Sequence, residues 1–378
     1  MAQSAAPDLL SKSVVVIDAT TGSLIFEKNS DEVIPPASLT KLMTMHLAFR
    51  EIKAGRASLD EIIVPSSESW AVNQLPRSSV MYLAEGQKLT LRELFLGMAV
   101  PSGNDAAMAT ALRFAPTLDV FVSMMNREAE ALGLKNTRFV DASGYWEHNQ
   151  TTAREFAAFC RVYLNEHFES LENFHSVREL IYPRPDNWIE RSPNNPGSWR
   201  HRNTNNLLGN VEGVDGIKTG YIPEAGYNIA LTAERNNTRF IAVILGAASG
   251  DRIRDEDGRK ILEWAFASYK TIRPEIGVME PTRVWKGREN FVKLALSEPL
   301  VFTAPAVRGQ RLTWSIELDE PFIAPIAEGT AVGNLFLYDS LGELRRIPLL
   351  TAHNTESGSF FKRLIDTIRL FFQGLKKK

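Results

Sequence analysis

The segment Ile34–Thr44 is Ile-Pro-Pro-Ala-Ser-Leu-Thr-Lys-Leu-Met-Thr, and it places Ser38 three positions before Lys41. Two prolines end the extended chain before the serine, and apolar residues at helical spacing over 42–49 predict a helix that begins at the serine. Residues three apart on a helix share one face, so the hydroxyl and the amine are expected to touch. A serine hydroxyl needs a base beside it near pH 7, and this pair predicts a nucleophile with its base.

A second string, Ser-Gly-Asn at Ser102–Asn104, falls in a polar turn between two predicted helices, Leu91–Ala99 and Asp105–Phe114. Such a turn can direct the hydroxyl of Ser102 and the amide of Asn104 into a cleft. The alternative is a plain helix N-terminus, in which these side chains only cap the following helix.

A third string, Lys-Thr-Gly at Lys218–Gly220, lies in a predicted strand that is entered through glycine turns. Lys218 and Thr219 suit an anionic chain end, and Gly220 lets a substrate backbone approach the strand. We also expect Lys218 to be a second cation that, together with burial, lowers the pKa of Lys41 so that its amine can accept a proton. Each string is weak alone, but the three in this order indicate an acyl-transfer site.

The strings lie in a region that strands open and a helix closes. Two hairpins are predicted from paired β-rich runs, which are Ser13–Asp18 with Ser23–Glu27, and Tyr227–Glu234 with Arg239–Ala247. Helical patterns lie between the hairpins, Leu180–Asn210 predicts a loop, and Arg259–Tyr269 predicts the closing helix. This order predicts an α+β domain over residues 1–271, with helices packed on an antiparallel sheet that joins both hairpins.

After residue 271 the pattern changes to short β-like runs separated by glycine, proline and charged turns. This predicts a small all-β sandwich over residues 272–355, and no catalytic string falls within it.

The last segment, residues 356–378, predicts an amphipathic helix. Its apolar stripe is Phe361, Leu364, Ile365, Ile368, Phe371, Phe372 and Leu375, and its basic residues are Lys362, Arg363, Arg369 and Lys376–Lys378. We place Asp366 on the polar side. Aromatic and aliphatic bulk opposed by cations is typical of a helix that lies in a membrane surface, so an anionic membrane is a predicted partner of residues 359–378. The alternatives are docking on its own domain or pairing in a dimer.

The composition excludes several classes of protein. A net charge of -2 argues against a nucleic-acid binder. No Gly-x-Ser-x-Gly string occurs and the six histidines are scattered, so a Ser-His-Asp hydrolase is disfavoured and neither a metal nor another cofactor is predicted. His167, beside Glu166, is expected on the polar surface. The single cysteine, Cys160, lies in an apolar helical pattern and is expected to be buried.

Together these features resemble the serine penicillin-recognising enzymes, and more narrowly the low-molecular-mass penicillin-binding proteins that are serine-type D-Ala-D-Ala carboxypeptidases. The resemblance rests on Ile34–Thr44, Ser102–Ala106, Gly133–Thr137 and Val214–Tyr221, and on the β-rich module and basic tail. It implies a β-lactamase/transpeptidase-like fold for the first domain. It also implies a location at the periplasmic face of the bacterial inner membrane. The start of the chain has no secretory signal, so that location requires a signal peptide that has been removed.

The resemblance implies roles for the catalytic residues. Ser38 attacks the peptide carbonyl between the two D-alanines of a peptidoglycan stem peptide and becomes acylated, and Lys41 is the base. Ser102 and Asn104 relay protons and hold the substrate, and Lys218 belongs to the same catalytic group. β-Lactam antibiotics acylate Ser38 as mimics of the substrate.

The resemblance also implies a binding site for the terminal carboxylate. Lys218 and Thr219 face that group, and the backbone N–H groups of Ser38 and Tyr221 form the oxyanion hole. The family uses an arginine after the last hairpin as well, for which Arg252 and Arg254 compete, and the sequence that follows favours Arg254.

Three other functions use similar residues. A D,D-endopeptidase acting on cross-linked peptidoglycan needs the same site, and the sequence does not separate it from a carboxypeptidase. A class A β-lactamase needs a glutamate that activates water, for which Glu169, four positions before Asn173, is only a superficial match expected on the surface. The non-enzyme alternative is an inert wall-binding protein.

Overall fold

The structure is a computed structural model that describes residues 5–188, 197–248 and 250–376, with side chains described as far as residue 372. Within these residues the chain divides into two compact units, of which the first ends at Ala267 and the second begins at Ser268. This division lies close to the predicted boundary at residue 271.

The first unit contains nine strands and six α-helices over its described residues, besides short 3-10 and π-helical turns. The strands are β1 (Ser13–Asp18), β2 (Leu24–Lys28), β3 (Ile62–Ile63), β4 (Leu89–Thr90), β5 (Glu179–Tyr182), β6 (Trp199–Arg202), β7 (Val214–Ile222), β8 (Gly226–Arg235) and β9 (Thr238–Ala247). The helices are α1 (Lys41–Lys53), α2 (Leu91–Ala99), α3 (Asn104–Phe114), α4 (Leu118–Ala131), α5 (Ala153–Glu166) and α6 (Gly250–Ser268).

Five of these strands form an antiparallel sheet in the order β2-β1-β9-β8-β7, which confirms the prediction that one sheet joins both hairpins. β9 is buried at every position because helices cover both faces of the sheet. Ile241 and Val243 share a core with Phe156 of α5, whereas Phe240, on the other face, packs against Phe266 of α6. The central strand is therefore a continuous apolar run.

Two predictions about this unit are wrong. The stretch Leu180–Asn210, predicted as a loop, contains most of β5 and all of β6, which pair antiparallel; residues 189–196 lie outside the described residues. The closing helix α6 begins at Gly250, nine residues before the predicted start at Arg259. The turns before Arg259 carry few apolar side chains, and Gly258 packs so closely that a Cβ atom there would lie 2.8 Å from the side chain of Leu231.

The second unit is mainly β-structure, as predicted. Its strands are β10 (Tyr269–Ile272), β11 (Thr282–Trp285), β12 (Phe291–Val292), β13 (Leu294–Leu296), β14 (Phe302–Pro305), β15 (Thr313–Leu318), β16 (Phe322–Ile323), β17 (Ala331–Asp339) and β18 (Gly342–Thr351). The sheets β13-β18-β17-β15 and β12-β11-β16 share a core that includes Val284, Leu335 and Ile347, and β10 pairs with β14.

The second unit ends in helix α7 (Phe360–Lys376), whose apolar stripe faces solvent. Phe361 is 75% exposed and Ile365 is 48% exposed, so this stripe does not dock on the helix's own unit. The placement of Asp366 on the solvated polar side is wrong. That carboxylate is buried, accepts a hydrogen bond from the backbone N–H of Lys286 at 2.8 Å and lies 3.7 Å from the guanidinium of Arg283. Lys377 and Lys378 lie outside the described residues.

Among the described residues, no helix has both the length and the apolar character needed to cross a bilayer.

Candidate active site

Ser38 lies in a 3-10 helical turn, Ala37–Thr40, that runs directly into α1. Lys41 is the first residue of α1 and is completely buried. Its Nζ lies 2.9 Å from Oγ of Ser38, 2.7 Å from Oδ1 of Asn104 and 2.8 Å from the carbonyl oxygen of Ser143. The structure therefore brings the serine, the lysine and the asparagine of two sequence strings into one hydrogen-bonded group.

Burial lowers the pKa of Lys41 from 10.5 to about 7, and the carboxylates of Asp141 and Asp105 oppose this shift only in part. Burial, rather than the expected second cation Lys218, is the main cause of this shift. Lys41 and Lys218 repel each other, and the effect is marked at Lys218. Burial, with repulsion from Lys41 and Arg254, holds the pKa of Lys218 well below its usual value.

The turn before α3 places two side chains at this group. Ser102 has a left-handed backbone with φ of 64°, and its buried hydroxyl has no hydrogen-bond partner within the part of the chain that the structure describes. Asn104 is the first residue of α3, and its amide nitrogen donates to Oγ of Ser78 at 3.1 Å. Because both polar ends of Asn104 point to the site and neither side chain caps α3, the capping alternative is wrong.

Strand β7 passes directly beside the turn that holds Ser38. A Cβ atom at Gly220 would lie 2.8 Å from the carbonyl oxygen of Pro36 and 3.0 Å from the backbone nitrogen of Ser38. Glycine at this position therefore permits the close approach of the two backbones.

The same strand carries a polar group around Thr219. Its Oγ1 lies 2.6 Å from Oγ1 of Thr204, and the buried guanidinium of Arg254 reaches the carbonyl oxygen of Thr204 at 3.5 Å. Arg254 also pairs with Asp255 at 2.7 Å and contributes to the low pKa of Lys218. Arg252 is exposed, whereas Arg254 is the one of the two competing arginines that lies at this polar group.

A cleft opens at Ser38 and Asn104. One wall is formed by residues from 76–79 and 144–147, and the other by residues 221–224 that follow the glycine of β7. Glu169, the residue compared with a β-lactamase glutamate, is exposed and does not line this cleft.

The sequence analysis missed Asp141, which shapes the first wall. Its carboxylate accepts hydrogen bonds from the N–H groups of Ser143, Gly144 and Trp146 and from the amide of Asn149. Burial by itself would raise the pKa of Asp141, but these donors outweigh burial and lower it. The string Asp-Ala-Ser-Gly is an Asx-turn signal that would have indicated such a loop, although not its position.

Gly144, in the same loop, was missed as well. It has a φ of +81°, and a Cβ atom there would lie 1.7 Å from the carbonyl oxygen of Ala37. The loop thus packs directly on the turn of Ser38.

His167 is buried, and the prediction that it lies on the polar surface is wrong. Its Nε2 lies 3.0 Å from Nδ1 of the buried His46, whose Nε2 lies 3.2 Å from a carboxylate oxygen of Glu128. His46, Glu166 and His167 have atoms of metal-ligand type within 4.8 Å of one another, a grouping that sequence spacing did not reveal because His46 comes from α1.

Comparison with known proteins places these features in a family. The family model described as D-alanyl-D-alanine carboxypeptidase (peptidase S11) matches residues 1–249, and the one described as the C-terminal domain of penicillin-binding protein 5 matches residues 271–357. The D-alanyl-D-alanine carboxypeptidase DacC of Escherichia coli K12 is 32% identical over 373 residues, which are 97% of this chain and 90% of that protein.

Solved structures agree with this match. Penicillin-binding protein 5 from Haemophilus influenzae superposes with a TM-score of 0.80 and 26% identity over 94% of this chain and 100% of that chain. Penicillin-binding protein D2 from Listeria monocytogenes, solved in an ampicillin-bound form, superposes with a TM-score of 0.59 and 29% identity over 69% of this chain and 100% of that chain.

Proposed function

Because the chain belongs to the D-alanyl-D-alanine carboxypeptidase family of low-molecular-mass penicillin-binding proteins, we propose that it removes the terminal D-alanine from peptidoglycan stem pentapeptides through an acyl-enzyme on Ser38. The observation that carries this mechanism is the contact of 2.9 Å between Ser38 Oγ and the buried Nζ of Lys41. With a pKa of about 7, a large share of this amine is neutral at physiological pH and can accept the serine proton.

In the proposed acylation, Ser38 Oγ attacks the carbonyl carbon between the two D-alanines while its proton passes to Lys41 Nζ. The N–H groups of Ser38 and Tyr221 stabilise the developing oxyanion. The carbon–nitrogen bond then breaks, and the proton reaches the leaving amine through Lys41 and the hydroxyl of Ser102, which has no hydrogen-bond partner among the described residues. Free D-alanine departs, and water hydrolyses the ester that remains on Ser38.

The polar group around Thr219 supports specificity for a free chain end. Thr219 and Arg254 both contact Thr204, Lys218 Nζ donates to the carbonyl oxygen of Thr219 at 2.9 Å, and Lys218 and Arg254 are buried. A carboxylate that enters this cluster favours the charged form of Lys218. It therefore raises the pKa of Lys218, which burial lowers, and the amine takes up a proton. An internal peptide bond offers no such charge.

β-Lactams fit the same chemistry, because attack of Ser38 on the ring carbonyl opens a strained amide whose leaving nitrogen stays attached to the adduct. We therefore propose that they acylate Ser38.

The nucleophile is tested by labelling with a fluorescent penicillin, followed by mass spectrometry of the labelled peptide. Ser38→Ala should abolish both the labelling and the release of D-alanine while the thermal unfolding midpoint stays close to that of the wild type. Ser359→Ala is the matched control, because Ser359 and Lys362 repeat the Ser-x-x-Lys spacing on an exposed segment. Undiminished labelling of the Ser38 variant would refute the assignment.

The carboxypeptidase is favoured over the other functions considered for this site. The full-length relative described above is a carboxypeptidase. Product analysis on a pentapeptide and on a cross-linked dimer separates the two peptidases, and slow hydrolysis of the penicillin adduct is expected in place of the rapid turnover of a β-lactamase.

We also propose that residues 359–378 attach the protein to the periplasmic face of the inner membrane. The support is the apolar stripe of α7, whose Phe361, Phe371 and Phe372 are each more than half exposed. Cosedimentation of the full chain with vesicles should be stronger for anionic than for neutral lipid and should be lost in Phe371→Asp. Equal binding to both lipids would contradict the proposed role of the basic residues.

A further inference from the structure

Two charged side chains of the cleft have no part in the proposed reaction. Arg77 lies on the first wall, which Trp146 also lines, and Glu224 lies on the opposite wall just beyond β7. Both are exposed, and within the described ranges neither forms an ion pair or a side-chain hydrogen bond. A cation and an anion thus face one cleft without partners of their own.

The backbone of Arg77 shows that this residue sits where glycine would fit without strain. Its φ is 66°, in the left-handed region, which disfavours residues that carry a Cβ atom. Hydrogen bonds hold the chain on both sides. The hydroxyl of Tyr145 donates to the carbonyl oxygen of Pro76 at 3.3 Å, and Asn104 Nδ2 donates to Ser78 Oγ at 3.1 Å. A strained residue fixed beside the reacting group is a candidate for a role in function.

A hydrogen bond within the protein fixes the loop of Trp146 in the same wall. The N–H of Trp146 donates to the buried carboxylate of Asp141 at 3.0 Å, which fixes the loop, while the indole remains 47% exposed to the cleft. An exposed aromatic ring of this kind is a surface on which aliphatic carbons can pack.

The direction of β7 places the substrate along the cleft. Thr219, proposed to hold the terminal carboxylate, comes first, Gly220 touches the turn of Ser38, and Glu224 follows. Successive residues of a strand advance by about 3.3 Å, so the part of the substrate before the scissile bond lies toward Glu224 and Arg77. This step depends on the proposed carboxypeptidase function.

We propose that Arg77 and Glu224 form a subsite for the residue that precedes the two D-alanines. The subsite selects a side chain with both a free carboxylate and a free amine, as in a diamino dicarboxylic acid. The guanidinium of Arg77 binds the carboxylate, the carboxylate of Glu224 binds the amine, and the methylenes between them pack on Trp146. A lysine side chain supplies the amine alone and leaves Arg77 unpaired.

The test compares two synthetic pentapeptides that differ only in the third residue, which is meso-diaminopimelic acid in one and L-lysine in the other. Release of D-alanine gives kcat/KM for each. The wild type should prefer the diaminopimelic peptide by about 5- to 30-fold, mainly through KM, as expected for one added charge-assisted contact. In Arg77→Gln the two kcat/KM values should differ by no more than about twofold. Arg127→Gln, at an exposed arginine of α4 outside the cleft, should retain the wild-type preference for the diaminopimelic peptide.

Arg77→Gly provides a second variant that removes the guanidinium and relieves the backbone strain, so it decides the matter if Arg77→Gln folds poorly. Glu224→Gln should reduce the discrimination between the diaminopimelic peptide and its N-acetylated form. Equal kcat/KM for both peptides in the wild type, or a preference that survives both Arg77 variants, would overturn the subsite. Release of D-alanine from neither peptide would instead refute the carboxypeptidase.

Discussion

The pH dependence of acylation tests the role of Lys41 directly. The drop in its pKa from 10.5 to about 7 corresponds to about 5 kcal/mol, at about 1.4 kcal/mol for each pH unit. At pH 7.5 the neutral share of the amine rises from about 0.1% to about three quarters, which is a gain of about 750-fold in available base. Burial is the main cause of this gain.

The assay is the second-order rate constant for acylation by a fluorescent penicillin between pH 5.5 and 9.5. Because the neutral amine is the active form, the rate constant should rise about tenfold per pH unit below 7 and level off above about pH 8. Lys41→Arg should show no acylation at any pH, since a guanidinium stays protonated. Lys135→Arg, at an exposed lysine, is the matched control and should follow the wild-type profile.

Two results would refute this reasoning. A rate constant that is flat across the range would mean that no amine titrates during acylation. A rate constant that still rises at pH 9.5 would mean that burial does not depress the pKa of Lys41 in the working enzyme.

Three further predictions follow from the geometry. Arg254→Ala should lower kcat/KM for D-alanine release by about 10- to 100-fold because the carboxylate loses a charged partner, whereas Arg252→Ala should change it less than about twofold; equal losses would contradict the assignment. Gly144→Ala should lower the free energy of unfolding, measured in urea, by about 3 kcal/mol or more, since its Cβ atom would overlap the carbonyl of Ala37. The control is Gly133→Ala, at a glycine with φ of +74° and open space around it, which should lower the free energy of unfolding by about 1–2 kcal/mol. Lys41 binds its proton more weakly in the folded protein than in the unfolded chain. The free energy of unfolding of the wild type, relative to that of Lys41→Met, should therefore increase as pH rises from about 7 to 10.5. A decrease over that window in urea titrations would contradict the burial of a neutral amine.

The sheet was predictable because its signals are local. Alternating apolar runs with turn residues between them predicted β1 and β2, and the Asn236-Asn237 turn between β8 and β9 has the positive φ angles that asparagine tolerates. The helices α2 and α3 were likewise predicted to within a residue, since each carries an apolar stripe of helical period. Where the stripe was interrupted, as at Gly258 in α6, the predicted boundary was wrong.

Contacts between distant residues were not predictable from spacing. His46 and His167 come from different elements, and no local pattern indicates that their rings meet in a buried pair. Asp366 follows the helical period of an exposed residue, yet the backbone N–H of Lys286, 80 positions away, draws its carboxylate into a buried hydrogen bond. In both cases a specific polar partner outweighs the preference of the side chain for water.

The backbone around the cleft adopts conformations that local sequence preferences do not predict. Only the catalytic motifs therefore indicated the site. Ala37, Arg77 and Ser102 all have positive φ, which costs about 1–2 kcal/mol at a residue with a Cβ atom. None is a glycine or an asparagine, so no propensity signals the left-handed turns. The surrounding structure must hold them, as Gly144 does by packing on the carbonyl of Ala37. Strain at three positions around one nucleophile indicates that the requirements of the site, and not local conformational preference, determine the backbone there. Such a site can be recognised in a sequence only from the side chains that its chemistry requires.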